Sequence, residues 1–135
     1  MDSMPNKILY LEDDAHISEI AIMALEDFSD FNVRHCSHGS MAIETFRAYQ
    51  PDLLLFDVML PDIDGVETLR RIRQLPGGEH IPIIFMTAKV QKHEQQAYMD
   101  LGALPVIVKP FDALNLGDQI KSIWSARQTP SVLST

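Results

Sequence analysis

The chain of 135 residues contains one cysteine, Cys36, so no intramolecular disulfide can form. Cys36 closes the alternating stretch 31–36 and reads as a small strand residue rather than a reactive thiol. Basic residues are scarce: eleven Lys and Arg stand against nineteen Asp and Glu, for a formal net charge of −8. A protein that grips phosphates along DNA or RNA needs a basic face, so direct nucleic-acid binding is not expected. The one tight basic group, Arg70, Arg71 and Arg73, is expected to be a solvated helix face. No apolar run is long enough to span a bilayer. Residues 1–7 lack the basic start and apolar core of a secretory signal. A cytoplasmic protein without membrane contact is the expectation. Internal repeats and low-complexity segments are also lacking, as is the glycine-lysine pattern of a nucleotide-binding P-loop. Of the five histidines only His35 and His38 are closely spaced. They flank a strand end and read as surface residues, not as a zinc site.

What the chain does have is alternation. Short apolar runs at Ile8–Leu11, Leu53–Phe56, Ile81–Met86 and Val106–Val108 read as buried parallel strands. The mixed run Phe31–Cys36 reads as an edge strand. Helical spacing separates them. Ile17, Ile20, Ala21, Ala24, Leu25 and Phe28 mark one apolar face behind a capping Asp14. Ala42, Phe46 and Tyr49 mark a second helix. Asp64 and Glu67 resemble a capping box before Val66, Leu69 and Ile72, with a stop at Pro76-Gly77-Gly78. A fourth helix is expected over 91–101, ending at Gly102. A fifth follows Asp112, with Leu116, Ile120, Ile123 and Trp124 buried. Five strand–helix units in strict alternation predict an α/β fold: a doubly wound five-stranded parallel sheet, helices on both faces, in the flavodoxin-like order 2-1-3-4-5. The folded unit is expected over 6–127, with flexible ends at 1–5 and 128–135. Too few residues follow 127 for a DNA-binding module, so a stand-alone or excised domain is expected.

In open α/β sheets ligands bind outside the carboxyl ends of the strands. Glu12, Asp13 and Asp14 follow the first strand, Asp57 the third, Thr87 the fourth and Lys109 the fifth. The second strand offers nothing comparable. Carboxylates crowded together repel unless a cation neutralises them. Mg²⁺ suits a site of one or two carboxylates, waters and a phosphate oxygen. With Lys109 and Thr87 beside it, such a site would stabilise charge on a phosphoryl group in transfer. A central carboxylate is a competent covalent acceptor. A flavin-phosphate site is disfavoured, because acids stand where a Ser/Thr/Gly-rich loop would follow the first strand.

Four segments carry a resemblance: Ile8-Leu-Tyr-Leu-Glu12-Asp13-Asp14, Asp57-Val-Met-Leu-Pro61-Asp-Ile-Asp64-Gly65, Ile83-Ile-Phe-Met-Thr87-Ala88-Lys89, and Val108-Lys109-Pro110-Phe111. Together they resemble the CheY-like receiver domain of bacterial response regulators, over about 6–127. The resemblance implies a phosphoryl-accepting switch of a two-component system. Asp57 would take a phosphoryl group from a phosphohistidine on a sensor histidine kinase or a histidine phosphotransfer protein. Mg²⁺ would be the cofactor, touched by Asp13, by Glu12 through water, by Asp57 and by the backbone carbonyl of Met59. Lys109 would pair with a phosphoryl oxygen and Thr87 would move to meet the group. Asp14 would cap the first helix, and Pro61 and Gly65 would shape the loop beside Asp57. Residues 91–127 would form the face read by a downstream protein, with phosphorylation-dependent dimerisation as a further use of it. The alternative role is an intermediate phosphate shuttle in a multistep phosphorelay.

Two features depart from the family pattern. Val106 stands where an aromatic often couples to the threonine, so the usual rotamer switch is not expected. Met59 and Lys89 flank the phosphoryl site, and with apolar Met59 a slow loss of phosphate is expected. Aspartate-nucleophile phosphatases usually carry a second acid two residues after the nucleophile, where this chain has Met59, so a turnover enzyme is not expected.

Overall fold

A computed structural model describes residues 4–88 and 90–127. Five strands, Lys7–Leu11 (β1), Asn32–Cys36 (β2), Leu53–Asp57 (β3), Ile83–Thr87 (β4) and Ile107–Val108 (β5), alternate with five helices. These are Ala15–Glu26 (α1), Gly39–Tyr49 (α2), Gly65–Ile72 (α3), Lys92–Asp100 (α4) and Ala113–Ala126 (α5). All strand pairs are parallel, and the order is β2-β1-β3-β4-β5. The expected doubly wound sheet is therefore present. The expected ends 1–5 and 128–135 fall largely outside the described residues, although Pro5 is buried.

The period-2 alternation of each strand divides the core in two. Ile8, Tyr10, Leu53, Leu55, Ile84 and Met86 face α1 and α5, where Ala21, Leu25, Leu116, Ile120 and Trp124 cover them. Leu9, Leu11, Leu54, Phe56, Ile83 and Phe85 face the opposite layer, with Phe46, Leu69, Ile72 and Tyr98. Burial on both sides is why β3 and β4 carry no polar residue until their last position, where Asp57 and Thr87 stand. Trp124 and Cys36 are buried, as expected. The Cys36 thiol reaches Thr45 Oγ1 at 3.5 Å.

Side-chain caps start the helices. Asp14 Oδ1 accepts from the backbone N–H groups of His16 and Ile17, Asp64 Oδ1 from Glu67 at 2.7 Å, and Asp112 Oδ1 from Leu114. Each satisfies an orphan donor of a first turn, worth about 1 kcal/mol. Glu67 does not complete a reciprocal box. Its carboxylate pairs instead with Arg71 at 3.1 Å and Arg70 at 3.8 Å.

Several expectations need correction. β4 begins at Ile83, because Ile81 and Pro82 form its approach, where the Pro82 carbonyl accepts from Leu54 N–H. β5 is two residues long and excludes Val106. Ile20 and Phe28 are exposed, Phe28 beyond the end of α1, so the buried face of that helix is narrower than its apolar pattern. Arg73 is not part of a solvated face. Its guanidinium donates to the carbonyls of Gly78, Ile81 and Leu101, binding the ends of α3 and α4 to the approach of β4.

Candidate functional site

The parallel register brings four strand ends to one rim. Glu12 follows β1, and its N–H donates to the Cys36 carbonyl at the end of β2. Asp57 is the last residue of β3, opposite Met86, and Thr87 the last of β4, opposite Val108. Lys109 follows β5, with its N–H on the Thr87 carbonyl at 2.9 Å. Glu12, Asp57 and Thr87 are buried, whereas Asp13 is exposed.

One oxygen from each of Glu12, Asp13 and Asp57 lies within 4.8 Å of the others. Lys109 Nζ stands 2.6 Å from Glu12 Oε1 and 3.2 Å from Asp57 Oδ2. Glu12 Oε2 accepts from the Asp14 N–H at 3.1 Å. Burial pushes the Glu12 carboxyl above its usual range, and Asp57 adds to the rise, against the pull of Lys109 and the Asp14 N–H. Burial works to lower the Lys109 ammonium, but its bonds to Glu12 and Asp57 outweigh that and raise it. Three carboxylates thus share one ammonium that touches two of them. An all-oxygen, anionic donor set of this kind fits a hard divalent cation such as Mg²⁺. Asp14 lies outside the cluster and serves as a cap, and its carboxyl is lowered by the N–H groups of Ile17 and His16.

A cleft of about 360 Å³ opens beside this cluster. Asp57, Met59, Thr87 and Lys109 line it, together with Gln91, Glu94 and Tyr98 from the start and middle of α4. The Tyr98 ring packs on Phe85 with centroids 4.9 Å apart. Val106 lies partly buried against the same apolar layer. Lys89, expected beside the phosphoryl site, lies outside the described residues. A second, apolar groove, lined by Ile17, Ile20, Ala88, Pro110 and Phe111, meets the cleft at Ala88 and Lys109.

The loop after β3 is pinned from two sides. Asp62 accepts from the N–H groups of Gly39 and Ser40 and from the Ser40 hydroxyl, all at 3.2 Å. Burial works to raise its carboxyl, but the Ile63 N–H, together with these donors of Ser40 and Gly39, outweighs that and holds it down at about 2. Gly65 N–H donates to the Val58 carbonyl at 2.8 Å.

Sequence reasoning placed Glu12, Asp13, Asp57, Met59, Thr87 and Lys109 together, and they are together. It missed His35, read as surface. Its Nε2 lies 2.8 Å from the Glu12 carbonyl and its ring lies against Tyr10, so the edge strand does reach the site. It missed Asp62, a loop acid whose partners are distant in sequence. Glu94 was detectable in principle, as the acid three residues after a helix-starting Gln91.

The comparisons agree with this geometry. The profile of the response regulator receiver domain matches residues 8–121. The phosphate regulon transcriptional regulatory protein PhoB of Rhizobium meliloti is 36% identical over 129 residues, covering 96% of this chain and 56% of that protein. The transcriptional regulatory protein CseB of Streptomyces coelicolor is 36% identical over 116 residues, covering 86% of this chain and 48% of that protein. The chain spans about half the length of these relatives. A putative response regulator from Chloroflexus aurantiacus superposes with a TM-score of 0.79 at 30% identity, over 90% of this chain and 98% of that one. The chemotaxis protein CheY4 of Vibrio cholerae shares the fold, with a TM-score of 0.81 at 23% identity over 90% of this chain and 99% of that one. With its acidic rim, its strand-end Asp57 and a family profile spanning all five strands, the chain belongs to the response regulator receiver domain family.

Proposed function

We propose that Asp57 accepts a phosphoryl group from a protein phosphohistidine. The observation that carries this reading is the convergence of Asp57, Thr87 and Lys109 on one cleft beside the Glu12–Asp13–Asp57 cluster. In the transfer a carboxylate oxygen of Asp57 forms a bond to phosphorus, the P–N bond breaks, and the histidine ring keeps the electron pair. Glu12, Asp13, Asp57 and the backbone carbonyl of Met59 would hold Mg²⁺, which supplies neutralising charge at the transferring oxygens. Lys109 exchanges part of its contact with Glu12 and Asp57 for a phosphoryl oxygen. Thr87 offers a hydroxyl donor from the adjacent strand end.

The new group brings negative charge and strong acceptors to the rim. Lys109 and Thr87 gain partners, and their loops lead directly to α4, β5 and α5. A downstream protein would read this change over residues 91–127, where Met99, Val108 and Leu114 are exposed. The same face could support phosphorylation-dependent dimerisation. The groove lined by Ile17, Ile20, Pro110 and Phe111 gives a phosphohistidine-bearing partner an apolar seat beside Lys109. Residues 6–127 would act as the switching unit. Among the described residues no helix is long and apolar enough to cross a membrane, and a cytoplasmic role follows from pairing with a histidine kinase.

Intact mass after incubation with Mg²⁺ and acetyl phosphate tests the acceptor. One added phosphoryl group is expected on the wild type and none on Asp57→Ala or with EDTA present from the start. An equal adduct on Asp57→Ala would overturn the assignment.

A further inference from the structure

The α4 wall of the Asp57 cleft carries a negative charge. Glu94 is half-buried and lines the same cleft as Asp57, Thr87 and Lys109. Its Oε1 accepts from the Gln91 N–H at 3.0 Å, which closes the first turn of α4 and fixes where the carboxylate sits. Among the described residues Glu94 makes no ion pair. Among the described residues lining the cleft, the one cation, Lys109, is already engaged by Glu12 and Asp57. The field of Glu94 is felt nearby: burial first, then Glu94 and Asp64, raise the Tyr98 hydroxyl above its ordinary range. The cleft therefore presents a fixed anion toward an incoming phosphoryl group, separate from the carboxylates that would hold the metal.

We propose that Glu94 is a specificity-determining residue for the phosphodonor: it disfavours small free donors in proportion to their negative charge, while favouring the divalent cation. The proposal rests on Asp57 being the acceptor. A free donor approaches with little beyond electrostatic attraction and the metal to hold it. Like charge on the wall of a partly closed cleft is screened less than charge on open surface. The same negative charge adds to the attraction for a cation at the adjacent cluster.

The substitution Glu94→Gln separates charge from structure. Glutamine at this position keeps the capping geometry, so α4 should stay intact. With saturating Mg²⁺, the rate of Asp57 phosphorylation by acetyl phosphate is expected to rise by about three- to tenfold in Glu94→Gln. The gain with phosphoramidate, which carries less negative charge at neutral pH, is expected to be smaller. Raising ionic strength should speed the wild type and narrow the gap to the variant. Mg²⁺ affinity, read by calorimetry without any donor, should change in the opposite direction and fall. Equal rates with equal salt dependence in both proteins would overturn the proposal while leaving Asp57 as acceptor. The same gain for both donors would also overturn it, since only a structural change acts without regard to charge. No adduct in either protein, with unchanged Mg²⁺ affinity, would overturn both this inference and the acceptor reading.

Discussion

Lys109 Nζ stands 2.6 Å from Glu12 Oε1, joining the loop after the last strand to the end of the first across 97 residues of chain. The carboxylate is 1% exposed and the lysine side chain 13%. A buried pair of this kind is costly to break from one side, because the remaining charge stays desolvated. Here the loss is compounded, since Asp57 is the second partner of the same ammonium. Lys109→Gln should destabilise the metal-free protein by about 2 kcal/mol, a value kept below the fully buried range because the lysine is partly exposed. Phosphoryl acceptance should fall by more than about tenfold, the worth of one charge-assisted contact. Denaturant unfolding and the rate of mass gain check the two effects. A stable variant that is phosphorylated at the wild-type rate would remove Lys109 from the proposed mechanism.

The acidic cluster should make stability depend on Mg²⁺. A ligand present at roughly a hundredfold above its dissociation constant stabilises the folded state by about 2.7 kcal/mol. Thermal melting of the wild type should shift upward with Mg²⁺ and return with EDTA. Asp13→Asn removes the exposed carboxylate of the cluster without disturbing the buried pair, and most of the shift should vanish. If Asp13→Asn keeps the full Mg²⁺ shift, the metal does not use this residue.

Met59 is 74% exposed at the mouth of the cleft. An apolar, unbranched side chain there neither orients nor activates an attacking water. Met59→Asn supplies an amide that can hold one, and phosphorylated Asp57 should hydrolyse several-fold faster in the variant, by about the worth of one water-orienting hydrogen bond. The half-life of the phosphorylated protein after removal of the donor measures this. A wild-type half-life shorter than that of the variant would contradict the expectation.

Acid should act on the loop after β3 through Asp62. Its carboxyl is held at about 2, below the ordinary aspartate value, by the neighbouring Ile63 N–H and by N–H and hydroxyl donors at the start of α2. A carboxyl depressed in the folded state contributes stability that is present above the unfolded value and lost as pH falls through the folded one. Stability of the wild type should therefore decline between about pH 4 and pH 2, in part through this group. Asp62→Asn can still accept a hydrogen bond at the helix start and cannot titrate. Its decline over that window should be shallower, measured by urea unfolding at stepped pH. Identical slopes would mean that the Asp62 contacts contribute nothing in solution.

The strands, their order and the candidate site residues Glu12, Asp13, Asp57, Thr87 and Lys109 were legible because each leaves a local signature, whereas Met59 entered only through the family resemblance. A buried parallel strand reads as an apolar run, and the acid, threonine or lysine that ends it interrupts the run at the sheet's carboxyl edge. What was not legible depends on partners far apart in sequence. Arg73 belongs to a basic cluster by composition, yet three carbonyls from two separate loops turn it inward. Ile20 and Phe28 continue an apolar helical pattern, but α5 covers only part of that face and leaves both exposed. His35 looked like a surface residue because its partner, the Glu12 carbonyl, is a backbone group that no side-chain pattern reveals. Asp62 was hidden for the same reason, since it meets two backbone donors more than twenty residues away.

Gly65 offers a test of how Asp57 is held. A β-carbon built at this position would lie 2.1 Å from the Asp57 carbonyl oxygen and 3.2 Å from the Val58 Cα. Both obstacles are backbone, so no side-chain rotation can relieve them. The start of α3 therefore rests directly on the end of β3, and the Gly65 N–H bond to the Val58 carbonyl closes the contact. Gly65→Ala must push these segments apart, at a cost of about 1–3 kcal/mol typical of overpacking. The displaced residue is Asp57 itself, so phosphoryl acceptance should fall further than the folded fraction does. Gly77 supplies the control. It has a φ of +87° and open space where a β-carbon would stand, so Gly77→Ala should cost about 1 kcal/mol through backbone strain alone and leave phosphorylation unchanged. If Gly65→Ala, under conditions where it is fully folded, accepts phosphoryl at the wild-type rate, then close packing of α3 on β3 is not what positions the acceptor.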